Sequence, residues 1–73
     1  MNKRIDTLLV LQARIDARAQ LWMLGNYATP SDMMLPLYNY AKQMDLFEKL
    51  GGVDGIDNMM LVALDYHKSK KTG

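Results

Sequence analysis

The sequence predicts an all-α protein: a small compact bundle of about three helices with a flexible basic C-terminal tail. Apolar residues recur at helical spacing in three segments, and residues that stop helices separate those segments. Hydrophobic residues make up 49% of the 73 residues and charged residues 23%, which is typical of a folded globular chain. A chain this short supplies one thin core. We therefore expect a single helical domain over residues 1–67 and a disordered basic tail over residues 68–73.

The first helix is predicted over residues 3–24. Its apolar face steps by three and four residues and contains Ile5, Leu8, Gln12, Ile15, Ala19 and Trp22. Arg14 and Arg18 lie one turn apart on a flank of this helix, where they form a small basic patch rather than an ion pair. Gly25 and Asn26 both tolerate the left-handed conformation of a helix C-cap, so they predict where the helix ends.

The second helix is predicted to start at the segment TPSD. Thr29 is suited to cap the helix, Pro30 fits its first position, and Asp32 follows at the spacing of a capping box. Pro36 lacks an N–H and crowds the preceding turn of a helix. Two structures accommodate this proline: either residues 30–35 form a separate single turn, or the helix is kinked.

From Leu37 onward the pattern is that of one amphipathic helix ending at the glycine pair Gly51 and Gly52. Its predicted buried face contains Leu37, Tyr40, Ala41, Met44, Phe47 and Leu50. The glycine-rich stretch KLGGVDGIDNMM lacks the preceding strand and the cationic groups of a phosphate loop, and its acidic residues are wrongly spaced for calcium. We interpret it as a joint between two helices, in which Asp54 caps the third helix and Asp57 interacts favourably with the helix dipole.

The third helix is predicted over about residues 56–66. Its inward face contains Ile56, Met59, Met60, Ala63 and His67. A strand over residues 59–66 stays open because short apolar runs are ambiguous. Leu61, Val62 and Leu64 place apolar side chains outside the inward face, and a helix that is apolar on most sides is either buried or binds a partner. These three residues are therefore candidate partner-binding residues.

Methionine is unusually frequent, with seven residues in the chain. Thioether side chains fill irregular gaps in protein cores, which explains most of these positions. The doublets Met33-Met34 and Met59-Met60 are different, since neighbouring residues on a helix point in different directions. Surplus flexible apolar side chains on a small protein indicate a surface that binds a partner. For the doublets, core packing and partner binding both stay open.

Enzyme chemistry is poorly supplied in this sequence. The chain has no cysteine and one histidine, His67, which we interpret as an ordinary residue in a fraying last turn. No serine is placed to suggest a catalytic triad, and no second ligand suggests a metal site. We therefore expect a protein that is not an enzyme and that has no cofactor, no metal ion and no small-molecule substrate.

Hydropathy and charge restrict the cellular location of the protein and the kinds of partner that it is expected to bind. The apolar segment near the N-terminus is too short for a signal peptide or a membrane span, so a cytoplasmic protein without membrane contact is expected. The net charge of +1 gives no global field that attracts nucleic acid. A helix-turn-helix would also present Asp54 and Asp57 where base reading needs other side chains. A small DNA-binding regulator of that type and a homo-oligomeric structural module remain the alternatives.

The chain as a whole resembles small phage-encoded regulators that bind host RNA polymerase. The resemblance lies in its length, its cysteine-free helical composition, the N-terminal segment MNKRIDTLLVLQARIDAR and the basic segment KSKK. It implies a non-catalytic transcription regulator in the host bacterial cytoplasm. Such a protein docks on polymerase subunits and inhibits initiation, promotes antitermination, or does both.

Under that interpretation the partner-binding residues follow from side-chain chemistry alone. Apolar contacts are assigned to Leu61, Val62 and Leu64. The basic side chains that would meet an acidic protein surface, or secondarily a nucleic-acid backbone, are Arg14, Arg18, Lys68, Lys70 and Lys71.

Overall fold

Three α-helices account for most of the chain in the computed structural model, which describes the backbone of residues 3–72 and the side chains of residues 7–70. The helices are α1 (Lys3–Met23), α2 (Pro30–Gln43) and α3 (Gly52–Thr72). The predicted all-α class is confirmed. The segment 59–66 is helix rather than strand.

α1 ends in a Schellman motif, in which two N–H groups beyond the helix donate to carbonyl oxygens of its last turn. Gly25 takes the left-handed conformation with a φ of 80°. Its N–H donates to the carbonyl oxygen of Trp22 at 2.9 Å, and the N–H of Asn26 donates to that of Leu21 at 3.0 Å. The predicted helix end is confirmed. Ile5, assigned to the apolar face of this helix, lies outside the described side chains.

α2 begins as the sequence predicts. Thr29 is its N-cap, and Oγ1 of Thr29 accepts a hydrogen bond from the N–H of Asp32 at 3.2 Å. Pro36 lies inside the uninterrupted helix, so the alternative of a separate turn over residues 30–35 is wrong. The Pro36 ring is exposed, and it therefore displaces no core side chain.

The end of α2 differs from the prediction, because the helix stops at Gln43. Asp45 adopts the left-handed conformation with a φ of 59°. The N–H of Asp45 donates to the carbonyl oxygen of Lys42 at 3.2 Å, and the N–H of Leu46 donates to that of Ala41 at 2.8 Å. These bonds form a second Schellman motif. Leu46 and Ala41 are both buried and supply the apolar contact that accompanies this motif.

The glycine pair lies at the start of α3 rather than at the end of α2. Gly51 and Gly52 have φ values of 92° and 68°, and the N–H of Gly52 donates to the carbonyl oxygen of Phe47 at 2.8 Å. α3 therefore begins at Gly52 rather than near Ile56. Asp54 lies in the first turn of α3 rather than capping it, where a carboxylate interacts favourably with the helix dipole.

The C-terminal segment continues α3 through Thr72, in place of the disordered tail predicted over residues 68–73. Nε2 of His67 lies 2.6 Å from Oδ1 of Asp16, and this contact anchors the C-terminal half of α3 on α1. The lysines that follow have a high helix propensity, and no helix-breaking residue precedes Gly73, which lies outside the described residues.

The core lies where the three helices meet. Its buried apolar side chains are Leu11, Ile15, Ala19, Met33, Met34, Leu37, Ala41, Leu46, Ile56 and Met60. α1 packs more extensively against α3 than against α2. α1 and α3 run in the same direction, since Gln12 shares a groove with Met59 and, farther along both helices, Asp16 meets His67. α2 runs back against both.

The structure decides one open alternative for the predicted core and corrects two of its details. Met33 and Met34 are both buried, because α2 contacts α1 and α3, so this doublet belongs to the core. Met44, which was expected on the buried face, is 37% exposed because it is the C-cap of α2. Gln12 is exposed, and its neighbour Leu11 takes the buried position on α1.

The helix joint contains a backbone contact that admits only glycine. A Cβ at Gly55 would lie 1.5 Å from the carbonyl oxygen of Leu50. We expect Gly55→Ala to lower the free energy of unfolding by about 2 kcal/mol, although alanine ordinarily stabilises a helix over glycine by about 1 kcal/mol. Urea unfolding followed by circular dichroism measures the change.

The neighbouring exposed variant Asp54→Ala is the control for this substitution. It removes one favourable helix-dipole interaction and should cost no more than about 1 kcal/mol. A Gly55→Ala protein as stable as the parent chain, or more stable, would contradict the close contact with Leu50.

Candidate functional site

The three apolar residues assigned to a partner lie on α3 in different environments. Leu61 is 62% exposed and Val62 is 70% exposed, whereas Leu64 is half-buried and packs against the core. Consecutive residues on a helix point about 100° apart. Leu61 and Leu64 accordingly face the side of α2, and Val62 faces the side of α1.

The α2–α3 groove is an open apolar depression of about 400 Å³ beside Leu61. Its apolar lining consists of Trp22, Pro30, Met33, Met34, Met60, Leu61 and Leu64. Flexible methionine side chains can repack against differently shaped apolar surfaces. Trp22 is the only tryptophan of the chain, so its fluorescence reports on this groove.

A hydrogen bond between Tyr38 and Asp57 forms part of the wall of the α2–α3 groove. Oη of Tyr38 donates to Oδ1 of Asp57. Burial and this hydrogen bond raise the pKa of the Tyr38 phenol to about 12, since ionisation would place a second negative charge beside the carboxylate. Tyr38 therefore remains a donor at neutral pH and links α2 to α3.

The α1–α3 groove lies on the opposite flank of α3 and encloses about 410 Å³. Its lining consists of Gln12, Ile15, Asp16, Met59, Val62, Ala63 and Tyr66. Tyr66 is 57% exposed, so it borders the groove together with Val62. This second depression is also mainly apolar, with polar groups only on the α1 side and at the tyrosine hydroxyl.

His67 does not lie in a fraying turn. Its side chain is 16% exposed, and Nε2 lies 2.6 Å from Oδ1 of Asp16. Nε2 of Gln20 donates to Oδ2 of the same carboxylate at 3.1 Å. The hydrogen bond with His67 lowers the pKa of Asp16 against the opposing effect of burial, and Gln20 and Lys70 lower it further. The cluster ties α1 to α3.

Arg14 and Arg18 lie on the side of α1 that faces α2. Cζ of Arg14 lies 4.5 Å from the centroid of the Tyr40 ring on α2. Nη1 of Arg18 donates to Oη of Tyr27, in the connection between α1 and α2, at 3.2 Å. Both arginines thus have contacts within the chain besides the partner contacts predicted for them.

The lysines assigned to a partner lie near the C-terminal end of α3. Lys68 and Lys70 are exposed, and both make contacts within the chain. The side chain of Lys71 lies outside the described residues. The predicted partner-binding residues therefore occupy several sides of the bundle, and the structure does not bring them into one patch.

The described part of the chain contains neither a cluster of metal-ligating side chains nor a membrane-spanning helix. Among its side chains, no three His, Asp or Glu residues are grouped as metal ligands would be. No helix in residues 3–72 is long and apolar enough to cross a membrane.

The fold and its surfaces define an all-α three-helix bundle with apolar grooves on both flanks of α3 and an arginine–tyrosine side between α1 and α2. No family model matches the chain, and neither the curated proteins nor the solved structures contain a significant match.

The tyrosine contacts are what sequence reasoning missed. Tyr27 and Tyr38 bond to charged side chains on other elements, and Tyr40 stacks on an arginine rather than only packing in the core. No local spacing links these pairs, because the partners are distant in sequence. The available signal is chemical: a partly buried tyrosine carries a hydroxyl group that must find a partner.

The lowered pKa of Asp16 makes the hydrogen-bonded contact between α1 and α3 sensitive to acid. A carboxyl group whose pKa falls on folding stabilises the folded state fully at pH values above its ordinary pKa of 3.8. That contribution is lost as the pH falls through the lowered pKa of the folded state. We expect Asp16→Asn to lower the free energy of unfolding at pH 7 by up to about 1 kcal/mol, because the carboxylate is half exposed. Urea unfolding at a series of pH values measures it.

The difference between Asp16→Asn and the parent chain should shrink as the pH falls below the ordinary pKa of the carboxyl group. Asp65→Asn, at an exposed position of α3, is the control and should show no such convergence. Two stability curves that stay parallel down to strong acid would exclude this role for Asp16.

Tyr38→Phe removes the hydrogen bond to Asp57 and should cost about 1.5–3 kcal/mol, as for other hydrogen bonds to charged groups. An absorbance titration of the four tyrosines should contain a component near pH 12 that this variant lacks. Because the pKa of Tyr38 is raised on folding, its contribution to stability is complete below pH 10 and is lost as the pH rises through 12. The exposed variant Tyr66→Phe should retain that component, and its persistence in Tyr38→Phe would refute the assignment.

Proposed function

We propose that this protein is a non-catalytic, phage-encoded transcription regulator that docks on host bacterial RNA polymerase, where it inhibits initiation or promotes antitermination. The observation that supports docking on a protein is the exposure of Leu61 and Val62 on the outer part of α3. The choice of polymerase is supported by the resemblance of the chain to small phage-encoded regulators of that enzyme.

The energetic argument for a partner concerns apolar surface that folding leaves in water. Leu61 is 62% exposed and Val62 is 70% exposed, and full burial of such a side chain contributes about 1.5–3 kcal/mol. Each residue borders a groove of about 400 Å³. A partner that covers Leu61 would therefore also cover half-buried Leu64, which lines the same α2–α3 groove.

The basic side chains are expected to increase the association rate and to contribute little to the affinity. Arg14, Lys68 and Lys70 are exposed, and exposed charges mainly steer a partner of opposite sign and accelerate its encounter. We accordingly expect the association rate to fall as salt is added, with a smaller effect on the dissociation rate.

A pull-down from bacterial lysate, with mass-spectrometric identification of the captured proteins, tests the choice of partner. Recovery of polymerase subunits is expected, followed by a changed yield of promoter-dependent or terminator-dependent transcripts with purified components. Failure to recover polymerase with folded bait would exclude it as the partner. Sedimentation velocity under the same conditions distinguishes a monomer from a self-associating structural module.

Leu61→Asp should lower affinity for the polymerase about tenfold or more, because a charge would replace a buried apolar contact. The free energy of unfolding should change by no more than about 0.5 kcal/mol, since the side chain is exposed. Polymerase titration and urea unfolding measure the two effects.

Asn58→Asp is the matched control for Leu61→Asp, because it adds the same charge about one turn earlier at an exposed position of α3. It should weaken binding much less. Unfolding of Leu61→Asp would mean that Leu61 belongs to the core, and a folded variant with unchanged affinity would place the docking surface elsewhere.

A further inference from the structure

One line of exposed and half-buried side chains on α1 combines two positive charges with apolar ends. Val10, Arg14, Arg18 and Leu21 follow one another at spacings of four, four and three residues, so they form a stripe along the helix. Val10 and Leu21 are each 40% exposed. The α1 stripe thus places two guanidinium groups between two exposed apolar side chains.

Two tyrosines hold the arginines of the α1 stripe in place. The guanidinium of Arg14 stacks on the Tyr40 ring at 4.5 Å, and Arg18 donates one hydrogen bond to Tyr27 at 3.2 Å. Stacking covers the face of a guanidinium and leaves its in-plane N–H groups available as donors. Because both long side chains are already restricted, a ligand that binds them loses less conformational entropy.

The two charges are not neutralised within the described part of the chain. Neither arginine forms an ion pair with a carboxylate among residues 7–70, and like charges one turn apart repel each other. Asp16 lies between them in sequence, but it points to another flank of α1 and bonds to His67 and Gln20. The stripe therefore presents two guanidinium groups that form no ion pair with a described carboxylate.

We propose that the α1 stripe binds an acidic amphipathic helix of a protein partner. Two carboxylates one turn apart on that helix pair with Arg14 and Arg18, and apolar side chains at its ends cover Val10 and Leu21. Guanidinium and carboxylate groups match as bidentate pairs, which fixes the register. The inference rests on the proposed function in that both require a protein partner.

The composition of the stripe favours a protein over nucleic acid as its ligand. Backbone binding to nucleic acid draws its affinity from many phosphate contacts, and the stripe supplies two cations. Exposed apolar side chains at both ends add little to phosphate binding, whereas they are the usual complement of a helix with apolar and acidic positions.

Titration of the full chain with short helical peptides tests the proposal. The probe is an alanine-based helix with Glu at positions i and i+4 and Leu one turn before and after them, and its counterpart carries Lys in place of Glu. We expect saturable binding of the glutamate peptide, with shifts of the α1 amide signals in NMR spectra, and no binding of the lysine peptide.

The variant Arg14→Lys/Arg18→Lys keeps the charge and loses the bidentate forks, so it should weaken binding of the glutamate peptide roughly three- to tenfold. Tyr40→Leu frees Arg14 without removing its charge and should weaken binding by a smaller factor. Lys49→Ala, which removes an exposed cation outside the stripe, is the control and should bind like the parent chain. If Tyr40→Leu fails to fold, the double lysine variant still carries the test.

Equal affinity for the glutamate and lysine peptides would overturn the proposal, as would glutamate-peptide binding that survives the double lysine substitution. Arginine-dependent binding of an oligothymidylate in place of the peptide would assign the stripe to nucleic acid and also overturn it. If the double lysine variant still binds polymerase, the stripe is not part of the polymerase interface, and the proposed function is unaffected. Peptide binding without polymerase binding would support the stripe and exclude the proposed function.

Discussion

The parallel packing of α1 against α3 is the contact on which the rest of the structure depends. Two helices that run in the same direction cannot be joined by a short turn, so α2 must run back against both of them. Fully buried Ala19 and Ile56 lie on the inner faces of α1 and α3, and partly buried aromatic side chains pack around this thin core. The bond between Asp16 and His67 extends the contact toward the C-terminal end of α3. The two grooves lie on either side of α3, and the arginine–tyrosine contacts lie on the side where α1 faces α2.

Helix ends could be predicted from sequence where a single residue type carries the information. Gly25 ends α1 because glycine adopts the left-handed conformation at little cost, and Thr29 caps α2 through its own hydroxyl group. Asp45 adopts the same conformation as Gly25 without being glycine. Its turn is stabilised by the burial of Leu46 against the end of α2, which is a tertiary contact that no local pattern contains.

In the candidate surfaces too, some features follow from local sequence and others from contacts between distant residues. Exposure of Leu61 and Val62 could be predicted, because both fall outside the inward stripe of one helix. The burial of Met33 and Met34 could not be predicted, since it depends on α2 contacting helices on two sides. The pairing of Arg14 with a tyrosine likewise joins residues far apart in the chain. Side-chain type indicates that such residues need partners, and only the packing of the helices selects them.

Charge separates the α1 stripe from the surface around Leu61. Leu61 lies between Asp57 and Asp65, one turn before and one turn after it on α3, so an acidic partner is disfavoured there even though the side chain itself is apolar. Arg14 and Arg18 have the opposite effect on α1, where neither forms an ion pair with a described carboxylate. At both proposed surfaces, exposed apolar side chains would supply contact area, and the neighbouring charges would select the partner. The two proposed surfaces would therefore favour partners of opposite charge.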